Sequence, residues 1–284
     1  MKKFDYFQPE NLKEAYELME KQKGNARYIA GGTDIIWRIK QCVIETDALI
    51  SLRGIESLKK SSLNGGLTLG SMVLFRDIVR NQDISSRYPA LQQAVSLLAN
   101  PQVRNVATIG GNICNAAPSA DCAPPLMVSD AMLTLEGPGG KREIPINDFF
   151  TGPGQTCMEQ TEVLTHITLP EMDSKASACF LKKGRVSQDI AIVNAAALLV
   201  MEGNVCRKCR LCVGAVAPVP LRMTMAEEIV EGQEITLELL NKVAELVEKE
   251  VSPITDVRST EEYRRAVSGV LARRALQAAY DRSQ

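Results

Sequence analysis

Between Asn11 and Lys23, Leu12, Ala15, Tyr16, Leu18 and Met19 recur near a period of 3.6, and Gly24 follows. That spacing predicts a helix with one buried stripe, stopped by the glycine. Arg27 to Ala30 predicts a short buried strand, Thr33 to Lys40 a helix and Ala48 to Leu52 another strand, together a small βαβ unit. Gly66 to Gly70 alternates with period 2 and predicts a strand. Leu74 to Val79 and Pro89 to Ala99 predict helices, the second ended by Pro101. A strand-like run then leads into Gly110-Gly111. Pro124 to Ser129 predicts a short helix started by Asp121 or Cys122. Ala131 to Glu136 and Lys141 to Ile146 flank Gly137-Pro138-Gly139-Gly140 as a hairpin, and Val163 to Leu169 is a further strand.

The pattern changes after the polar segment Pro170 to Ser177, where a domain boundary is expected. Ala178 to Lys182, Ile190 to Met201 and Val205 to Val216 predict strands. Helices follow at about Met225 to Val230, Leu237 to Val251 and Glu261 to Tyr280. Strands followed by helices predict an α+β C-terminal domain.

Composition narrows the classes. The chain has 284 residues, 45% hydrophobic and 24% charged, with a net charge of −1. It suits a globular protein of two domains and offers no electrostatic case for nucleic acid or an anionic membrane. The longest apolar run, Ile190 to Met201, is interrupted by Asn194, so no membrane span is expected. Met-Lys-Lys-Phe-Asp-Tyr-Phe carries no apolar h-region, so no signal peptide is read, and the eight cysteines are expected to be reduced cytosolic thiols.

Two strand-like runs end in Gly-Gly followed by a polar residue: Tyr28-Ile29-Ala30-Gly31-Gly32-Thr33-Asp34-Ile35 and Ala107-Thr108-Ile109-Gly110-Gly111-Asn112. Glycine lets backbone amides approach a ligand closely, and successive amides form an anion-binding concavity. Two such turns face to face suit a diphosphate. Neither a Walker loop nor a G-x-G-x-x-G turn is present, so a P-loop nucleotide and a Rossmann cofactor are disfavoured. The single histidine, His166, shares a strand face with Leu164 and Thr168 by alternation and reads as solvent-side or satisfied. One histidine also removes Ser-His-Asp and Cys-His catalysis and most metal sites. Cys206, Cys209 and Cys212 repeat the C-x-x-C spacing, but on a predicted strand. Alternation puts Cys206 and Cys212 on one face and Cys209 on the other, which reads as buried small side chains rather than a cluster. Lys182-Lys183-Gly184-Arg185 is a solvated turn or a complement to a bound anion.

Ala30-Gly31-Gly32-Thr33-Asp34, then Pro101-Gln102-Val103-Arg104-Asn105 and Ala107-Thr108-Ile109-Gly110-Gly111-Asn112, resemble the FAD-binding (medium) subunits of the molybdenum hydroxylases. The resemblance runs through Gly152-Pro153-Gly154 and Glu162-Val163-Leu164 to Gly214-Ala215-Val216-Ala217-Pro218, and is nearest to bacterial xanthine dehydrogenase at Gly111-Asn112-Ile113-Cys114-Asn115. It implies an α+β fold: a p-cresol methylhydroxylase-type FAD-binding domain over residues 1–172, of two α/β subdomains (about 1–55 and 56–172), and a C-terminal α+β domain over 173–284. By the same resemblance, Tyr28, Ile29, Ala30, Gly31, Gly32, Thr33, Asp34 and Ile35 wrap the FAD diphosphate from one side. Ala107, Thr108, Ile109, Gly110, Gly111 and Asn112 close on it from the other, with Thr108 and Asn115 as side-chain donors. Asp121 holds the adenosine ribose, Leu164 gives apolar contact, and a lysine sits at the isoalloxazine edge. The F-x-K-x-G pattern from Phe180 makes that lysine Lys182, with Lys183 beside it.

The implied function is an electron relay. A molybdopterin-binding large subunit hydroxylates xanthine, another purine or a related heterocycle, and electrons pass through [2Fe–2S] centres on a small subunit to FAD and then NAD⁺. The chain itself then carries no catalytic residue and no metal, and works in a cytoplasmic heterotrimer. The alternatives are a stand-alone flavoprotein reductase of the same fold and a structural subunit without flavin.

Overall fold

The computed structural model describes residues 2–22 and 24–284. The chain opens with β1 (Asp5–Phe7), α1 (Leu12–Lys21), β2 (Ala26–Ile29), α2 (Ile35–Lys40) and β3 (Ala48–Ser51). The three strands form a parallel sheet in the order β1-β3-β2. The Asn11 side chain accepts from the Glu14 N–H and caps α1, while Ala15, Tyr16 and Met19 supply its buried stripe. Lys23, the expected last residue of this helix, lies outside the described residues. β1 was not foreseen, since three residues with an exposed-exposed-intermediate pattern give no periodicity.

The second unit runs through β4 (Ser61–Ser62), β5 (Gly66–Gly70), α3 (Phe75–Arg80), α4 (Gln82–Arg87), α5 (Pro89–Leu97), α6 (Pro101–Arg104), α7 (Ile109–Cys114) and α8 (Ala123–Val128). It continues with β6 (Met132–Gly137), β7 (Gly140–Pro145), β8 (Phe150–Gly152), β9 (Gln155–Thr156) and β10 (Val163–Pro170). Its main sheet is antiparallel, ordered β4-β5-β10-β6-β7.

One expectation is corrected here. The run before Gly110-Gly111 is not a strand. Thr108 accepts the Gly111 N–H at 3.0 Å, and the chain turns directly into α7 with both glycines inside it. The β-branched Thr-Ile pair looked strand-like, but Thr108 serves as a cap. Of the two starts expected for α8, Cys122 is the N-cap, with no side-chain cap bond, while the Asp121 carboxylate turns toward the C-terminal unit.

β11 (Ala176–Lys183), β12 (Val193–Glu202), β13 (Val205–Gly214) and β14 (Leu221–Arg222) make an antiparallel sheet in chain order, followed by α9 (Thr224–Val230), α10 (Leu237–Glu250) and α11 (Glu261–Ser283). β12 is buried on both faces from Val193 to Met201, which explains its near-continuous apolar run. Alternate residues Ala196, Leu198 and Val200 join the core of the second unit, while Ala195, Ala197 and Leu199 join a core under the C-terminal helices. The C-terminal sheet is therefore the middle layer of a sandwich fastened to the second unit.

Two bulges redirect side chains that strict alternation misplaces. β10 pairs Leu164 with Leu135 and His166 with Thr134, so Thr165 is extra. His166 stays half-buried with Thr168, while Leu164 leaves their face and is buried. In β13, Met201 faces Cys206 but Val200 faces Lys208, so Arg207 is extra. Cys206 and Cys209 consequently share the core under the C-terminal helices, and Cys212 alone faces the other core. This reverses the expected pairing of Cys206 with Cys212.

Candidate functional site

The first and second units face each other across a cleft of about 570 Å³, within the usual range of roughly 300–1,000 Å³ for ligand clefts. One wall is the turn after β2, from Tyr28 through Gly31 and Gly32 to Ile35. The other is the turn into α7, with Ala107, Thr108, Gly110, Gly111 and Asn112, extended by Asn115 and by Leu164 from β10.

The glycines are required by close approach. A Cβ at Gly31 would lie 2.3 Å from the Val106 carbonyl oxygen and 2.8 Å from Ala107 Cα. One at Gly110 would meet Ser71 Cβ at 2.5 Å. Gly32 has φ +77°, in the left-handed region that favours glycine. Among the described residues, the N–H groups of Gly31, Gly32, Thr33 and Asp34 find no backbone partner. Unengaged consecutive amides at a cleft wall are the donor set an anion requires. Arg27 and Arg38 line the same cleft, and Arg38 stands 4.0 Å from Asp34.

The opposite wall also has unmet hydrogen-bonding capacity. Ser71 Oγ and Asn112 Oδ1 are buried without a partner, each a cost of about 1–3 kcal/mol unless something pairs with it. With the free amides and the space kept by the glycines, this donor and acceptor set fits a phosphate-linked, hydroxyl-bearing cofactor such as FAD.

The floor is fixed by polar bonds. Tyr28 donates its hydroxyl to the Thr161 carbonyl at 3.2 Å, and burial pushes its phenol pKa up. Glu162, also on the cleft, accepts two bonds from Arg142 at 2.7 and 2.8 Å and a third from the Glu159 N–H. The Arg142 bonds hold its carboxyl below the usual range.

Three expected site residues lie off this wall. Ile109 is fully buried in the core beneath it. Asp121 and Lys182 pair with each other at 2.6 Å where the second unit meets the C-terminal sheet, and Asn194 donates to the same carboxylate at 2.8 Å. Lys183 is exposed. Ser71, Met72, Phe75, Leu98, Gly154 and Met158 line the cleft but were not picked out as site residues. Gly154 alone had a signal, in the Gly152-Pro153-Gly154 motif. Burial shifts the His166 pKa down, and no acid–base partner reaches the ring. Among the described residues, no group of three or more His, Cys, Asp or Glu side chains is placed to hold a metal ion.

A cleft between two units, walled by facing glycine turns of which one offers four free amides, is the architecture of a dinucleotide-binding protein. Residues 2–172 match the family described as the FAD binding domain in molybdopterin dehydrogenase, and residues 178–279 match the CO dehydrogenase flavoprotein C-terminal domain. The chain is 33% identical over 267 residues to the xanthine dehydrogenase FAD-binding subunit of Escherichia coli O157:H7, covering 91% of this chain and 90% of that one. It is 30% identical over 281 residues to the carbon monoxide dehydrogenase medium chain of Hydrogenophaga pseudoflava, covering 99% and 98%. A solved structure of carbon monoxide dehydrogenase from H. pseudoflava, lacking the Mo-pyranopterin moiety of the molybdenum cofactor, superposes with a TM-score of 0.97 at 29% identity, over 99% of this chain and 98% of that one. The chain belongs to this family: it is an FAD-binding subunit of the molybdenum hydroxylase type, with an α+β fold.

Proposed function

We propose that this chain is the flavin relay of a molybdenum hydroxylase, taking electrons from [2Fe–2S] centres on a small partner subunit and delivering them to NAD⁺. In this reading a molybdopterin-binding large subunit oxidises xanthine or a related heterocycle, and the complex is a cytoplasmic heterotrimer. Residues 1–172 carry the cofactor and residues 173–284 form the second domain. The observation that carries the reading is the pair of facing glycine turns, one with four unengaged amides.

Bound in the cleft, FAD supplies the change between two-electron and one-electron transfer that such a relay needs. The chain's own residues bind, orient and exclude water. The amides from Gly31 to Asp34 hold the diphosphate, and Thr108, Asn112 and Asn115 offer polar groups from the other side. Leu164 packs an apolar face. Asp121 and Lys182 place a fixed ion pair where the C-terminal sheet closes on the cofactor domain. Relatives in the family are subunits of xanthine, carbon monoxide and nicotinate dehydrogenases, and in this reading the share of this chain is to hold FAD where it exchanges electrons with NAD⁺.

The test is an anaerobic titration of the purified, flavin-loaded chain with NADH. Bleaching of the flavin absorption, with artificial acceptors reduced in turn, is the expected result. Flavin that stays oxidised in excess NADH would remove NAD⁺ as the acceptor.

A further inference from the structure

Ser71 follows β5 at the point where three elements meet. Its N–H donates to the carbonyl of the bulged Thr165 at 2.9 Å, and its own carbonyl accepts the Gly110 N–H at 2.9 Å. Gly110 has no room for a side chain because Ser71 Cβ occupies that space. The Ser71 backbone is therefore fixed from both sides, and its hydroxyl keeps a single rotor.

That hydroxyl has no partner. Other buried serines and threonines do better: Thr46, Ser129, Thr165, Ser177 and Ser268 each donate to a backbone carbonyl. Among the described residues, Ser71 is the one serine or threonine with a buried, unpaired hydroxyl. It lines the cleft, as does Asn112, whose Oδ1 is the other unpaired buried atom on this wall. Buried polar groups are ordinarily paired, so exceptions at a cleft mark where a ligand completes the wall.

The chemistry selects the ligand group. An amide oxygen only accepts, and a phosphate oxygen at neutral pH also only accepts, so Asn112 Oδ1 cannot pair with the diphosphate. A sugar hydroxyl donates and accepts, and satisfies both Asn112 Oδ1 and Ser71 Oγ. Resting on the FAD-binding reading above, we propose that Ser71 is a cofactor-binding residue, whose hydroxyl pairs with a sugar hydroxyl of the bound dinucleotide alongside Asn112. Two parts of FAD carry that group: the ribityl chain and the adenosine ribose.

The experiment compares wild type with Ser71→Ala by titration with FAD and, separately, with ADP, which lacks the ribityl chain, and by thermal unfolding without ligand. The expected result is about a tenfold weaker FAD affinity, equivalent to roughly 1.4 kcal/mol. Unliganded stability should be unchanged or higher, because the substitution removes an unpaired buried hydroxyl. Loss for FAD alone assigns the ribityl chain, and loss for both ligands assigns the adenosine ribose. Equal FAD affinity in the two proteins overturns the proposal, as does a fall in unliganded stability large enough to account for the lost affinity. A wild-type chain that takes up no FAD would instead defeat the underlying reading.

Discussion

The glycine pairs were legible because a residue without Cβ is conspicuous in an apolar run, and the backbone contacts now give each one a reason. Gly31→Ala would drive a methyl into the Val106 carbonyl at 2.3 Å, between backbones that cannot rotate away. Overpacking of this kind costs about 1–3 kcal/mol, and FAD affinity should fall roughly fivefold or more, since each 1.4 kcal/mol is a factor of ten. Gly139→Ala, with nothing within 4 Å of the new Cβ, is the control. Urea unfolding and flavin titration check both, and equal behaviour of the two variants would contradict the geometry. Glu162 was legible only as part of a family motif; its partner Arg142 lies on β7, separated from β10 by β6, and no local pattern links them. Because Arg142 holds the Glu162 pKa below its ordinary 4.5, the stabilisation is fully present above pH 4.5 and is lost as pH falls through the depressed value. Wild type should therefore melt above Glu162→Gln at pH 7, with the gap closing in acid; a gap independent of pH would contradict the assignment. Ser71 gave no signal, because a serine after a strand resembles any turn residue until its missing partner is seen.

Helices and strands with strong periodicity were readable, among them the Asn11-capped first helix, the Gly-Pro-Gly-Gly hairpin and the three C-terminal helices. What the pattern could not show was the register of pairing. Strict alternation assumes no extra residue, and the bulges at Thr165 and Arg207 each flip the side chains beyond them. The Thr108 cap was hidden for a related reason: the same β-branched residue serves a strand or a helix start, and tertiary contact decides. The Arg207 bulge sets a thiol prediction. Cys206, Cys209 and Cys212 are buried and split between two cores, whereas Cys42 is exposed. An accessible-thiol reagent should modify Cys42 rapidly in the native chain and reach those three only after unfolding. Rapid native modification of Cys209, or stoichiometric iron released with sulfide, would contradict their placement in the core.

At the scale of the molecule, the cofactor units and the C-terminal sandwich are joined by charge as well as by core. Arg222 makes two bonds to Glu227 at 2.7 and 2.8 Å and reaches back to the Met127 carbonyl and to Asp130, which Lys208 also contacts. Glu227 is buried, and Arg222→Ala leaves it, as cation, only the Arg210 guanidinium at 3.9 Å while removing the bonds to Met127 and Asp130, which should cost about 3–5 kcal/mol. Denaturant unfolding should then separate into two transitions as the sandwich loosens first; an unchanged single transition would show that the junction does not depend on Arg222. The charges across the junction were invisible in sequence, because Asp130 lies far along the chain from Lys208 and Arg222 and meets them only when the sheet docks. No helix among the described residues is long and apolar enough to cross a membrane. One measurement tests the whole molecule most directly. That is titration of the isolated protein with FAD, followed by flavin absorption and by emission of Trp37, the sole tryptophan, which sits on the helix directly after the Gly31-Gly32 turn. The account predicts saturation at about one FAD per chain with Trp37 emission quenched in step. A chain that folds, yet takes up no FAD and keeps its emission unchanged, would contradict it.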